Sequence, residues 1–161
     1  MATSTYLNID PIKGESTDTA HKGWIEVDSF SSGVSQPMSG PSGTGGRAAS
    51  RADFAPFVVN KKVDASTPDL NLYCSSGKHI AKLVLEVCQE TGEKVNYLKY
   101  ELENVMVHSV SISGGGSERP SESVAFVYDK ISWTYTAVKD NGSAGTKTGP
   151  KVWNLQENKS E

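Results

Sequence analysis

Residues 95–113 read VNYLKYELENVMVHSVSIS, and the phase of their apolar positions decides the fold. Leu98, Tyr100 and Leu102 recur at even positions, the period of a strand with one buried face. The apolar positions then move to Val105 and Val107, and back to Val110 and Ile112. A regular strand cannot change parity without turning its apolar face to water. Bulges or bends near Glu103-Asn104 and His108-Ser109 would restore the face, and such devices curl a sheet over on itself. The same shift separates Val124, Phe126 and Tyr128 from Ile131, Trp133 and Tyr135, across Asp129-Lys130. Gly114-Gly115-Gly116 links the two stretches.

The flanking sequence also reads as strands. Thr5, Leu7 and Ile9 alternate with polar residues until Asp10-Pro11 breaks the run. Residues 24–34 carry apolar groups on both sides and read as a second strand. Residues 51–59 and 82–90 are strand-like, Asp140-Asn141-Gly142 is a turn signal, and residues 152–155 form a last short strand. A single helix signal interrupts them. Ser66-Thr67 offers a hydroxyl cap before Pro68, Asp69 sits at the positive end of the dipole, and Leu70, Tyr73 and Cys74 share one face. Gly77 supplies the left-handed terminus. The expected fold is therefore mostly β: a small antiparallel β-barrel or two packed sheets, with one short flanking α-helix at about residues 68–76. The 161 residues suit a single domain.

Residues 36–50 (QPMSGPSGTGGRAAS) hold two prolines, four glycines and one apolar residue larger than alanine, Met38. This composition cannot pack a core and predicts a long flexible loop, either a disordered surface loop or a binding arm.

Composition narrows the function. A formal charge of −3 lacks the basic footprint of a nucleic-acid binder and gives little attraction to anionic lipid. The first ten residues, MATSTYLNID, have no basic or apolar signal region, and no window is long and apolar enough to insert in a membrane. Two cysteines, Cys74 and Cys88, are expected as free thiols of a chain folded in a reducing cytosol.

Chemical motifs are scarce. Neither GGGS at 114–117 nor GTGG at 43–46 precedes Lys-Ser/Thr at a helix start, so no phosphate cradle is expected. His21, His79 and His108 lie in three different elements without ligand spacing. The sequence has no G-x-S-x-G elbow and no Cys-x-x-Cys pair. No catalytic, cofactor-binding or metal-binding residue is assigned, and the chain reads as a binding or assembly module rather than an enzyme.

A resemblance makes this concrete. Tyr6-Leu7-Asn8-Ile9 through Lys13-Gly14-Glu15-Ser16, residues 25–36, Leu98 to Val107 followed by Ser109, Gly114-Gly115, residues 122–135, Gly149-Pro150 and Trp153-Asn154 run in the order of the Hcp family. The most specific piece is STPxLxxxCSSGKH, residues 66–79. Hcp (haemolysin-coregulated protein) is the tube-forming protein of bacterial type VI secretion systems. The resemblance implies a homohexameric ring with a wide pore. Such rings stack into a tube that a contractile sheath expels with a trimeric spike. Small effector proteins ride in the pore. Synthesis in the bacterial cytoplasm and export by the apparatus would account for the missing signal peptide. It also implies that Ser31, Ser32 and Ser35 line the pore and meet cargo. The loop residues Met38, Ser39, Gly40, Thr44 and Arg47 are candidates for ring stacking. The rival reading is a soluble β-barrel holding a small ligand in its interior.

Overall fold

The computed structural model describes residues 2–38, 49–90 and 94–161. The chain runs β1 (Thr3–Ile9), β2 (Ile25–Val27), β3 (Ser29–Ser31), β4 (Val34–Ser35), β5 (Asp53–Phe54), β6 (Phe57–Lys62), α1 (Thr67–Ser76), β7 (His79–Gln89), β8 (Val95–Ser113), β9 (Ser121–Val127), β10 (Lys130–Val138), β11 (Ala144–Asn154) and β12 (Lys159–Ser160).

Strand β8 organises the molecule. Its residues 98–103 lie between β7 and β10, and residues 106–113 lie beside β9. Leu102 and Val105 are both fully buried, so the parity change read in the sequence is real. Between them Asn104 takes φ 49°, a left-handed conformation that asparagine tolerates better than most residues. The bend is shared. On β7 the buried residues also switch, from Leu83 to Ile80, while Leu83↔Leu102 and Ile80↔Val105 keep one register. The second parity change is a bulge: Val107 faces Phe126 and Ser109 faces Ala125, leaving His108 as the extra residue. Beyond it the strand runs past the core, with Val110 half-buried and Ile112 exposed.

The change across Asp129-Lys130 marks the passage from β9 to β10, from one layer to the other. The Asp129 amide donates to the Glu103 carbonyl (3.1 Å), and the Asn104 side-chain amide donates to the Asp129 carboxylate. The two irregularities are thus one place in space, where both chains turn the corner together.

One layer follows the order β12-β11-β10-β8-β7-β1-β2; the other contains β3, β6, β9 and the second half of β8. All pairings are antiparallel. A turn at Asp28, whose amide donates to the Asn60 carbonyl (2.8 Å), carries the chain from β2 in the first layer to β3 in the second. Of the two architectures expected, the packed pair of layers is the one found; among the described residues no closed barrel forms. Leu7, Leu85, Leu102, Phe57 and Phe126 fill the space between the layers with no exposed surface. Each such side chain contributes about 1.5–3 kcal/mol by leaving water.

Several local expectations need correction: the stretch read at 51–59 is two strands, β5 and β6, and the last short strand read at 152–155 is the end of β11, with β12 after it. The single strand read at residues 24–34 is three short ones, because the chain changes layers at Asp28 and bends again at Ser32-Gly33. Strand β7 begins at His79 rather than Lys82. The helix occupies Thr67–Ser76 and ends on Gly77 (φ 68°) as expected, but the Ser66 hydroxyl does not cap it. That hydroxyl donates instead to Asp64. Leu70 and Tyr73 are the buried face, resting on β8.

Residues 13–24 fold back on themselves through Gly14 N–H to Gly23 O (2.9 Å) and Ser16 N–H to Trp24 O (3.0 Å). A Cβ at Gly14 would stand 2.4 Å from the Trp24 oxygen and 2.6 Å from the Ile25 Cα. Both are backbone atoms of the segment entering β2 and cannot swing away. Gly14→Ala is therefore expected to lower unfolding free energy by about 1–3 kcal/mol, read as an earlier urea midpoint. An unchanged midpoint would mean that this backbone yields easily.

Candidate functional site

The segment from β3 to β4 and the two-stranded ribbon that follows carry the candidate assembly residues. Strand alternation sends Phe30 inward, against Phe57 (6.1 Å between ring centres) and Tyr100 (5.8 Å). Ser29 and Ser31 accordingly point outward and are exposed. Ser32 lies in the break after β3. Ser32 is exposed there, and the Tyr128 phenol donates to the Ala55 carbonyl (3.1 Å) and is pushed up to about 12 by burial. Ser35 is exposed on β4. The structure thus places Ser31, Ser32 and Ser35, all exposed, on one outward stretch but not on one strand.

The ribbon pairs Val34 with Phe54 and Ser35 with Asp53. An isolated bridge between Met38 and Ala49 extends it, and the Ser50 amide donates to the Gln36 side chain (3.0 Å). Both ends of the expected 36–50 loop are therefore paired with each other. Ser39, Gly40, Thr44 and Arg47 lie outside the described residues. The ribbon's base is anchored: Phe54 packs between Tyr128 and Trp133, each 6.4 Å away, and Arg51 donates to the carbonyls of Leu155 and Gln156. Val34 and Met38 stand exposed on it at 57% and 58%.

Two polar clusters lie beneath the surface. In one, Lys61 is fully buried and pairs with Asp64 (2.8 Å) and Glu122. The Thr67 hydroxyl donates to Glu122 (2.9 Å), the Ser66 amide donates to Asp64 (2.9 Å), and the start of α1 is thereby tied to β6 and β9.

The other cluster surrounds His21, on the 13–24 loop. Its Nδ1 is 2.7 Å from Asp18 and its Nε2 is 2.6 Å from Glu86. The ring stacks on Tyr6 (4.3 Å) and meets Trp24 edge-on (4.7 Å). Lys94 joins Asp18, Glu90 and the Tyr6 hydroxyl. Hydrogen bonds from Lys94 and His21 hold the Asp18 carboxyl down at about 2. Burial, and then the Glu86 carboxylate, push the Cys88 thiol up to about 11. Sequence spacing could not find this group, because His21 and Glu86 are 65 residues apart. Register does: Tyr6 faces Glu86 and Ser4 faces Cys88, so alternate β7 residues share the face that His21 covers.

These charges are satisfied within the cluster and covered by Tyr6 and Trp24, which is the arrangement of a clasp rather than an open catalytic cleft. The depression between Glu15, Glu26, Asp28, Lys62, Asp64 and Arg119 is lined by charged side chains. A ligand-holding barrel would need its interior, and here the side chains of Phe57, Phe126 and Leu85 occupy that space. No helix among the described residues is long and apolar enough to cross a membrane.

Residues 6–135 match the family described as "Type VI secretion system effector, Hcp". The chain is 35% identical over 160 residues to Protein hcp1 of Pseudomonas aeruginosa, with 98% of each chain covered. A solved structure of a type six secretion system protein shares 37% identity and superposes with a TM-score of 0.95, over 99% of this chain and 100% of the other. The crystal structure of Hcp1 from Salmonella typhimurium shares 27% identity with a TM-score of 0.80, over 100% of both chains. By motif, fold and full-length similarity this chain belongs to the Hcp family of type VI secretion, a family of structural tube proteins and not of enzymes.

Proposed function

We propose that this chain is a ring subunit of the type VI inner tube. Six copies close head-to-tail, the rings stack, and a contractile sheath expels the tube together with a trimeric spike. Small effector proteins travel in the pore, and the protein is made in the cytoplasm and exported by the apparatus itself. The observation that carries this reading is the full-length likeness to Hcp proteins, with 98% of Protein hcp1 covered.

The sheet supplies a physical route. Its longer layer ends in two unlike edges, β2 on one side and β11–β12 on the other. Among the described residues strand β12 pairs only with Trp153 and Asn154 of β11, so residues 144–151 present an outer edge there. An open edge is a template for another strand, and Lys147, Pro150 and Lys151 on it discourage indiscriminate pairing. Joining one copy's β11 edge to the next copy's β2 edge is a heterologous contact, which makes a ring when its rotation closes.

Light scattering of the purified protein is expected to give about 104 kDa, six times the 17.3 kDa chain. A mass of one chain at micromolar concentration, with no larger species, would sink the ring. Ser31 tests the pore wall. Its small outward hydroxyl leaves a smooth, uncharged surface for diverse cargo. Ser31→Trp is expected to leave ring mass unchanged while reducing the effector that co-purifies with the ring. Undiminished co-purification would remove Ser31 from the wall.

A further inference from the structure

We propose that His21, Glu86 and Cys88 form a site for one divalent transition-metal ion, zinc by the chemistry of its donors. The three ligand atoms, an imidazole nitrogen, a carboxylate oxygen and a sulfur, all lie within 4.8 Å of one another. Nitrogen, oxygen and sulfur together suit a borderline-soft ion rather than calcium or magnesium. Ligands about 2.0–2.3 Å from a tetrahedral zinc stand about 3.3–3.8 Å apart. His21 Nε2 to Cys88 Sγ is already 3.8 Å. His21 Nε2 to Glu86 Oε2 is 2.6 Å, a contact bridged by a proton, and opens by less than about 1 Å when the ion takes the proton's place.

Two further features point the same way. Asp18 accepts a hydrogen bond from the opposite ring nitrogen at 2.7 Å, the outer carboxylate that orients a metal-bound histidine. Asn96, the register partner of Cys88 on β8 and so on the same sheet face, has a buried Oδ1 with no hydrogen-bond partner among the described residues. Its register puts an unpartnered oxygen on the face that carries Glu86 and Cys88.

The charges balance. One divalent ion enters; the proton between Nε2 and Glu86 leaves, and so does the thiol proton, since a coordinated thiol is deprotonated. The net charge of the cluster is unchanged, so Lys94, paired with Asp18 and Glu90, and Lys99, 3.8 Å from Glu86, keep their partners. The bound ion fastens the 13–24 loop to β7.

Cobalt(II) is the probe, added to the full-length assembled protein after chelation and removal of the chelator. The expected result is one equivalent bound per chain with a thiolate-to-cobalt charge-transfer band, bleached by zinc. The band persists in Cys74→Ser and disappears in Cys88→Ser. Asp18→Asn, which keeps the ligands, weakens binding by roughly tenfold to a hundredfold. Absence of the band at saturating cobalt in the wild-type protein overturns the proposal, whether or not Cys88→Ser folds. A band that survives in Cys88→Ser, or an Asp18→Asn protein that binds as tightly as wild type, overturns it as well.

Discussion

Replacing Lys61 with alanine is expected to lower the unfolding free energy by about 3–5 kcal/mol, the cost of leaving buried carboxylates uncompensated. Lys61 has no exposed side-chain surface, and neither does Glu122; Asp64 is 10% exposed. The substitution therefore removes the ammonium from a place where solvent does not reach Lys61 or Glu122. Glu122 already has one oxygen, Oε2, without a hydrogen-bond partner among the described residues, so the ammonium is the main compensation its charge has. The loss propagates to α1, because Glu122 accepts from Thr67 and Asp64 accepts from the Ser66 amide, where the helix begins. Urea unfolding at fixed protein concentration measures the effect, and fixing the concentration matters because assembly adds stability by mass action. The companion double variant, Lys61→Met with Glu122→Gln, removes both charges and keeps much of the volume. It is expected to cost less than Lys61→Ala alone, since the penalty comes from an unpaired charge and not from a missing contact. Costs that simply add would show that the pair is not coupled.

The same cluster shows where the sequence was legible and where it was not. Local patterns carried the strongest readings. Parity changes at Leu102/Val105 and at Val107/Val110 located a bend and a bulge in β8, because a strand's two faces are enforced by burial alone. Gly77 ended the helix where a left-handed residue was required. What failed was anything settled by a competing partner that the local pattern does not show, near in sequence or far. Ser66 reads as a helix cap, yet Asp64 competes for its hydroxyl. The apolar run at residues 24–34 looks like one strand, yet its halves pair with β1 and β6 in different layers. His21 looks like an isolated loop histidine until β7 lays Glu86 and Cys88 beneath it. Among the candidate contact residues, Ser31, Ser32, Ser35 and Met38 are all exposed, but the break after β3 keeps the three serines off a single strand. Composition alone could not reveal that the glycine-rich stretch begins and ends on a paired ribbon.

That ribbon makes the loop separable from the fold, and the separation is testable. Deleting residues 39–46 joins Met38 to Arg47, leaving Arg47-Ala48 as a two-residue connection between the bridged Met38 and Ala49. Two residues are the commonest hairpin connection, so the bridge can still close. Shortening the loop changes the closure entropy by no more than about 1.5 kcal/mol, with the sign favouring the folded state. The base is held elsewhere, by Phe54 between Tyr128 and Trp133 and by Arg51 on the carbonyls of Leu155 and Gln156. Monomer stability and the ring mass are therefore expected to be unchanged. Ring-on-ring stacking is expected to be lost. On the proposed reading, a stretch of polar, glycine-rich composition serves an adjacent ring rather than its own subunit's core. Electron microscopy then shows single rings where the full chain gives tubes. A control with Asn-Gly in place of residues 39–48, a pair suited to a tight hairpin turn, separates loss of the arm from strain in the connection. Tubes of ordinary length from both shortened proteins would assign stacking to the rest of the surface, beginning with the exposed Val34 and Met38 that the deletion leaves in place.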